Sequence, residues 1–195
     1  MSNEIAQCTA FNGDRRIASG PLADIALAVK AAMSSGSGPV LIFDDTSGRA
    51  LDIDTRGTDQ EVVERLPRTH PDYVEPQRGK GRPKLGVVAR EVTLLPRHWD
   101  WLSSQPGGAS VMLRKLVDEA RRSDKTRVAQ AREVAYRFMS AMAGNRAHFE
   151  EAARALFAGD KPRFDALTKT WPKDIGHHLQ HLAVGAFLQK SDAAG

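Results

Sequence analysis

Residues 90–122 constrain this chain more than any other stretch. Arg90-Glu91-Val92-Thr93-Leu94-Leu95 reads as a short strand, and Pro96 to Leu102 as a short helix. Pro106-Gly107-Gly108-Ala109 makes a glycine turn, and Ser110 caps a second helix over 111–122. Proline suits the first position of the first helix, where its missing N–H has no helical partner anyway. Trp99 and Leu102 share one face of that helix, and Leu113, Leu116, Val117 and Ala120 stripe the second. Two helices this short cannot enclose that apolar surface alone. The segment therefore implies a second copy of itself.

The order strand, helix, glycine turn, helix resembles the ribbon-helix-helix DNA-binding unit. The resemblance implies a homodimer whose paired strands enter a DNA groove. Val92 and Leu94 would then face inward and join Trp99, Leu102, Leu113, Leu116 and Val117 in the dimer core. Thr93 would face the groove and read a base edge or a thymine methyl, with Arg90 beside it. The free amides at Ser110 would suit a phosphate. The run Val92-Thr93-Leu94-Leu95-Pro96 departs from the family pattern, as though one outward polar residue were missing, and Glu91 would repel phosphates. A second reading therefore stands beside the first, in which the segment only dimerises and the protein is an interaction or adaptor module without nucleic-acid binding.

Charge favours a polyanion partner. The net charge is +4, but residues 1–67 carry 6 basic and 10 acidic side chains, while residues 68–137 carry 15 and 8. Within the basic third lies Arg78-Gly79-Lys80-Gly81-Arg82-Pro83-Lys84. Its core Gly81-Arg82-Pro83 resembles an AT-hook, which implies that Arg78, Lys80, Arg82 and Lys84 follow the narrow minor groove of A·T-rich double-stranded DNA. Residues 67–89 are rich in Pro and Gly and poor in apolar side chains, the composition of a linker.

The flanks complete an α+β chain. Residues 1–66 read as a small α/β domain. Asn12-Gly13 marks a hairpin between residues 8–11 and 15–18, Gly20-Pro21 opens a helix, and residues 39–43 and 50–54 are strand candidates. Thr58-Asp59-Gln60-Glu61 is a capping box for a helix ending near Leu66. Residues 123–190 read as four helices: one to Gly144, then His148 to Phe157, Pro162 to Trp171, and Lys173 to Gln189. Along its length the chain also resembles an uncharacterised bacterial family, domain of unknown function 2239. The likeness is strongest from Gly81-Arg82-Pro83-Lys84-Leu85-Gly86 through Trp99, and again from Ala135-Tyr136-Arg137-Phe138 to Gly144. That family implies no activity.

Signals for an enzyme are thin. No phosphate-binding loop or nucleophile elbow is present. Cys8 is a lone cysteine, which precludes an internal disulfide and suits a cytoplasmic setting. Turn aspartates Asp44, Asp45, Asp52 and Asp54 read as turn and strand-edge residues. His177 and His181 stand one helical turn apart but lack an evident third ligand such as His148 or Asp174, so no metal site or cofactor is expected. No apolar run reaches the length of a membrane span, and no secretory signal is visible.

Overall fold

The computed structural model describes residues 6–36, 38–73 and 90–188. Two compact units emerge, one formed by residues 1–76 with 128–195 and the other by residues 77–127. The architecture is α+β, with an antiparallel four-stranded sheet followed by helices.

In the first unit, β1 (Gln7–Asn12) and β2 (Arg15–Pro21) form the hairpin, joined by the two-residue loop Gly13-Asp14. Gly13 takes a φ of 55°, which a glycine adopts without the clash a Cβ would cause. β3 (Val40–Asp44) pairs with the other edge of β1, and β4 (Ala50–Leu51) with β3, giving the order β2-β1-β3-β4. Between β2 and β3 runs α1 (Leu22–Ser34), entered from Pro21. The capping box opens α2 (Asp59–Thr69): Glu61 N–H donates to the Thr58 hydroxyl, and Thr58 N–H donates to the Glu61 carboxylate.

Two boundaries before residue 70 differ from the sequence reading. The strand expected over 50–54 stops at Leu51, and Asp54 instead binds Arg56 at 2.8 Å and Arg65 at 3.0 Å. Those cations hold its carboxyl well below the usual carboxylate range, the Arg56 hydrogen bond foremost. The helix expected to end at Leu66 runs through Pro67 to Thr69. A proline in a last turn forfeits little there, and His70 N–H still closes on the Leu66 carbonyl.

β1 is buried on both faces. Cys8 and Ala10 face a core with Leu22, Ile25, Val29, Val62 and Leu66 from α1 and α2. Phe11, one step out of phase, joins Phe43 in a second core built by the C-terminal helices. Those are α5 (Asp124–Ala143), α6 (Phe149–Ala158), α7 (Lys161–Thr168) and α8 (Lys173–Leu182). Phe138 of α5 lies 5.5 Å from Phe11 and 5.0 Å from Phe43 between ring centres, an edge-on aromatic packing in the second case. The fourth of these helices was expected to reach Gln189. It ends at Leu182, and the chain tightens into a 3₁₀ turn (Val184–Phe187) where Arg132 donates to the Ala186 carbonyl.

Polar ties bind the same layers. Arg146 forms an ion pair with Asp14 of the hairpin loop, and Asp174 accepts the backbone N–H of Arg16. Arg137 donates to the Ser47 carbonyl at 3.1 Å. Beside it, Gly48 has a φ of 68°, and a Cβ there would strike the Val134 carbonyl of α5.

In the second unit, α3 (Pro96–Ser104) packs on α4 (Gly108–Arg122). Trp99 and Leu102 are expected to lie on one face covered across a dimer; within one chain Leu102 is buried, while Trp99 and Trp101 are exposed.

Gly48→Ala combines a left-handed φ with a backbone collision. It should cost about 2–4 kcal/mol in urea unfolding, whereas Gly13→Ala, with no atom near the added Cβ, should cost about 1–2 kcal/mol.

Candidate nucleic-acid interface and a buried polar cluster

Residues 90–95, expected as the ribbon strand, have no strand partner among the described residues and are almost wholly exposed. Water can hydrate these exposed backbone groups, and pairing as a strand would need a partner that the described residues do not supply. Arg90 and Thr93 are exposed, Val92 is 55% exposed, and Leu94 is half-buried.

Ser110 does not cap the second helix. Gly107, at φ 87°, takes the cap position, and Gly108 is already the first helical residue. Two consecutive glycines with positive φ let the chain reverse tightly enough to start the helix earlier, which moves Ser110 into its first turn. There its backbone carbonyl accepts from Arg114, and its side chain is exposed. Arg78, Lys80, Arg82 and Lys84, the AT-hook-like residues, lie outside the described residues.

Helical spacing divides α4 into two faces. Met112, Leu113, Leu116, Val117 and Ala120 fall on one side, and Arg114, Lys115, Arg121 and Arg122 on the other, with Asp118, Glu119 and the exposed Val111 among them. Among the described residues of the unit, α3 is the helix that packs against it. Leu113 is half-buried, Leu116 is 40% exposed and Val117 is 55% exposed. None of α4 is fully buried. Of the seven residues assigned to a dimer core, Leu102 alone is buried within one chain.

The first unit holds a different cluster, which the sequence reading missed. His178 of α8 is 2% exposed and stacks against Phe138 at 4.7 Å and Phe11 at 5.5 Å between ring centres. Its Nε2 lies 3.2 Å from Oδ1 of Asp45, but the contact lacks the alignment of a hydrogen bond. The other carboxylate oxygen of Asp45 accepts from the Thr9 hydroxyl at 2.9 Å, and Thr9 in turn meets the Ser19 hydroxyl at 3.0 Å. The sequence singles out His177 and His181, one turn apart and both exposed. The intervening histidine, in phase with Ile175, Leu179 and Leu182, is the one the fold buries.

Neighbouring Asp44 organises the β3–β4 turn. It accepts from the Thr46 N–H, the Ser47 hydroxyl and the Tyr73 hydroxyl. Burial foremost, then the Asp44 charge, pushes the Tyr73 phenol up to about 12. Cys8 is buried behind the same two aspartates, and burial followed by their charges pushes its thiol up to about 12. Such a thiol carries almost no thiolate at neutral pH and has no nucleophilic character. Among the described residues no three His, Cys, Asp or Glu side chains converge to hold a metal ion, and no helix is long and apolar enough to cross a membrane.

A family described as an uncharacterised protein conserved in bacteria, domain of unknown function 2239, matches residues 7–183. The chain belongs to this family. The match spans both units. No curated protein and no solved structure matches the chain.

The buried Asp45–His178 contact makes a definite energetic prediction. His178→Phe, which leaves the Asp45 carboxylate facing an apolar ring, should destabilise by about 2–4 kcal/mol. Asp45→Asn combined with His178→Phe should recover most of that loss, because the asparagine leaves no carboxylate stranded against the ring. Chemical unfolding of both variants measures the coupling. For Cys8, a thiol reagent at pH 8 should label the native protein only at the rate of unfolding, and label promptly in denaturant.

Proposed function

We propose that this protein is a homodimeric DNA-binding protein, acting as a transcriptional regulator, in which residues 90–122 dimerise and dock on the duplex. The observation that carries this reading is the open apolar stripe of α4, backed by a face of four basic side chains. A soluble unit that leaves Leu116, Val117, Val92 and Trp99 uncovered needs a partner surface of the same kind. A second copy supplies one by two-fold symmetry, since an isologous interface matches the stripe to itself. Strand pairing between two copies of residues 90–95 would satisfy the exposed backbone at the same time.

Charge supports the identity of the ligand. The excess of basic over acidic residues in 68–137 is concentrated around this unit. Arg114, Lys115, Arg121 and Arg122 are solvent-exposed and belong to no ion pair among the described residues. Cations left free in this way attract phosphates and release counterions on binding. Arg90 and Thr93 are the candidates for groove contacts, and Arg78, Lys80, Arg82 and Lys84 for a minor-groove arm that favours A·T-rich duplexes.

The adaptor reading draws on Glu91 and the exposed Leu95, which suit a protein surface better than a phosphate-lined groove. One experiment separates the two. Purified full-length protein, with its oligomeric state measured by sedimentation, is titrated with random and A·T-rich duplexes across a salt series. The DNA-binding reading expects a dimer whose affinity falls steeply with salt. It also expects Leu116→Glu with Val117→Asp to yield monomers that bind about tenfold or more weakly, as half the contacts are lost. A dimer with no duplex affinity at low salt would leave the adaptor role standing.

A further inference from the structure

A groove of about 560 Å³ opens in the first unit, between the β3–β4 turn and one face of α5. Gly48, Arg49 and Ala50 form one wall, and Glu133, Tyr136, Arg137, Ser140 and Ala141 the other, with Phe43 beneath. The α5 residues recur at three- and four-residue spacing, so a single helical face lines the groove. Its volume falls within the range of small-molecule sites, and most of its lining is apolar.

The polar groups there are few and specific. Arg49 makes no ion pair and its guanidinium no hydrogen bond among the described residues. The hydroxyls of Tyr136 and Ser140 are likewise without hydrogen-bond partners there. Arg137 is committed, donating to the Ser47 carbonyl and pairing with Glu133 at 2.8 Å. With Glu133 and Arg137 offsetting each other, the groove keeps one uncompensated positive charge, that of Arg49. One charge and two free hydroxyls, set in an apolar trough, match a small monoanion with an apolar body. A dianion such as a phosphate monoester would meet the same single cation with Glu133 alongside. The planar fork of a guanidinium favours a carboxylate, which it binds through two parallel hydrogen bonds.

We propose that the groove between the β3–β4 turn and α5 binds a small aromatic monocarboxylate, its carboxylate on Arg49 and its ring along Tyr136 and Ala141. Close approach of backbone to backbone at Gly48, where a Cβ would meet the Val134 carbonyl, sets the width of the trough. Tyr136 is braced from behind by Phe157 at 5.5 Å and Phe149 at 6.3 Å, so its ring presents a fixed surface. The site is independent of the DNA-binding reading, since every residue in it belongs to the first unit.

The test is titration of the full-length protein with 2-naphthoate, followed by calorimetry and by backbone amide shifts. Saturable binding is expected, with shifts confined to residues 48–50 and 133–141. The neutral methyl ester should bind at least about tenfold more weakly, as loss of a charge-assisted hydrogen bond dictates. Arg49→Gln, at an exposed position, should weaken 2-naphthoate by a similar factor. Ala141→Trp, also exposed, should block the trough while leaving Arg49 in place. Inorganic phosphate should not compete. Absence of saturation up to about 10 mM, or affinity unchanged in both variants, would overturn the proposal.

Discussion

The first unit depends on a strand that has no solvent face. In β1, Cys8 and Ala10 serve one core and Thr9 and Phe11 the other, so every side chain from 8 to 11 is buried. An antiparallel sheet commonly leaves one face in water. Here that option is closed, because exposing Phe11 and Phe43 would leave two large aromatic rings in solvent at about 1.5–3 kcal/mol each. The C-terminal helices are therefore part of the same fold as the N-terminal sheet, although some fifty residues of chain intervene. The bulge at Ala10 and Phe11 in the β1–β2 pairing adjusts the strand where the two cores change over.

The same doubling places polar groups where a sandwich with one wet face would hydrate them. Thr9 lies on the Phe11 side of β1, so its hydroxyl is enclosed and must find partners within the protein. Asp45 and Ser19 provide them. The Asp45–His178 contact follows from that geometry: a carboxylate drawn into the layer by Thr9 meets the imidazole that α8 buries with its apolar stripe. Its poor alignment argues for a role in specifying how α8 seats on the sheet rather than for strong stabilisation.

What was legible in the sequence follows the reach of each signal. The capping box at Thr58 and Glu61 and the Asn12-Gly13 turn are local chemistry, and both stand within a residue of their expected places. The helix start at Gly108 was misplaced because two candidates competed within three residues: Ser110 offered a side-chain cap, but paired left-handed glycines decided the matter through the backbone. His178 was invisible for a different reason. Its partner is 133 residues away, and nothing local distinguishes a buried histidine from His177 and His181 beside it except phase with Ile175, Leu179 and Leu182. The groove on α5 was likewise out of reach, since Arg49 and Tyr136 are brought together only by the packing of the turn on the helix.

The two units solve the burial problem in opposite ways. The first encloses Phe11, Phe43, Phe138, Phe164 and Trp171 within one chain, the Trp171 indole N–H donating to the Ala147 carbonyl. The second leaves Trp99, Trp101, Leu116 and Val117 uncovered along helices too short to cover one another. Had that exposure been the result of poor packing, apolar residues would be scattered around α4. Met112, Leu113, Leu116, Val117 and Ala120 instead share one arc, and Val111 alone stands among the charged residues of the other face. Segregation of this kind is the pattern of an amphipathic helix, and it is the feature on which the proposed dimer rests. The first unit carries the groove between the β3–β4 turn and α5, and the second carries basic side chains outside any ion pair among the described residues. Under the proposed function, these two surfaces would divide sensing from docking.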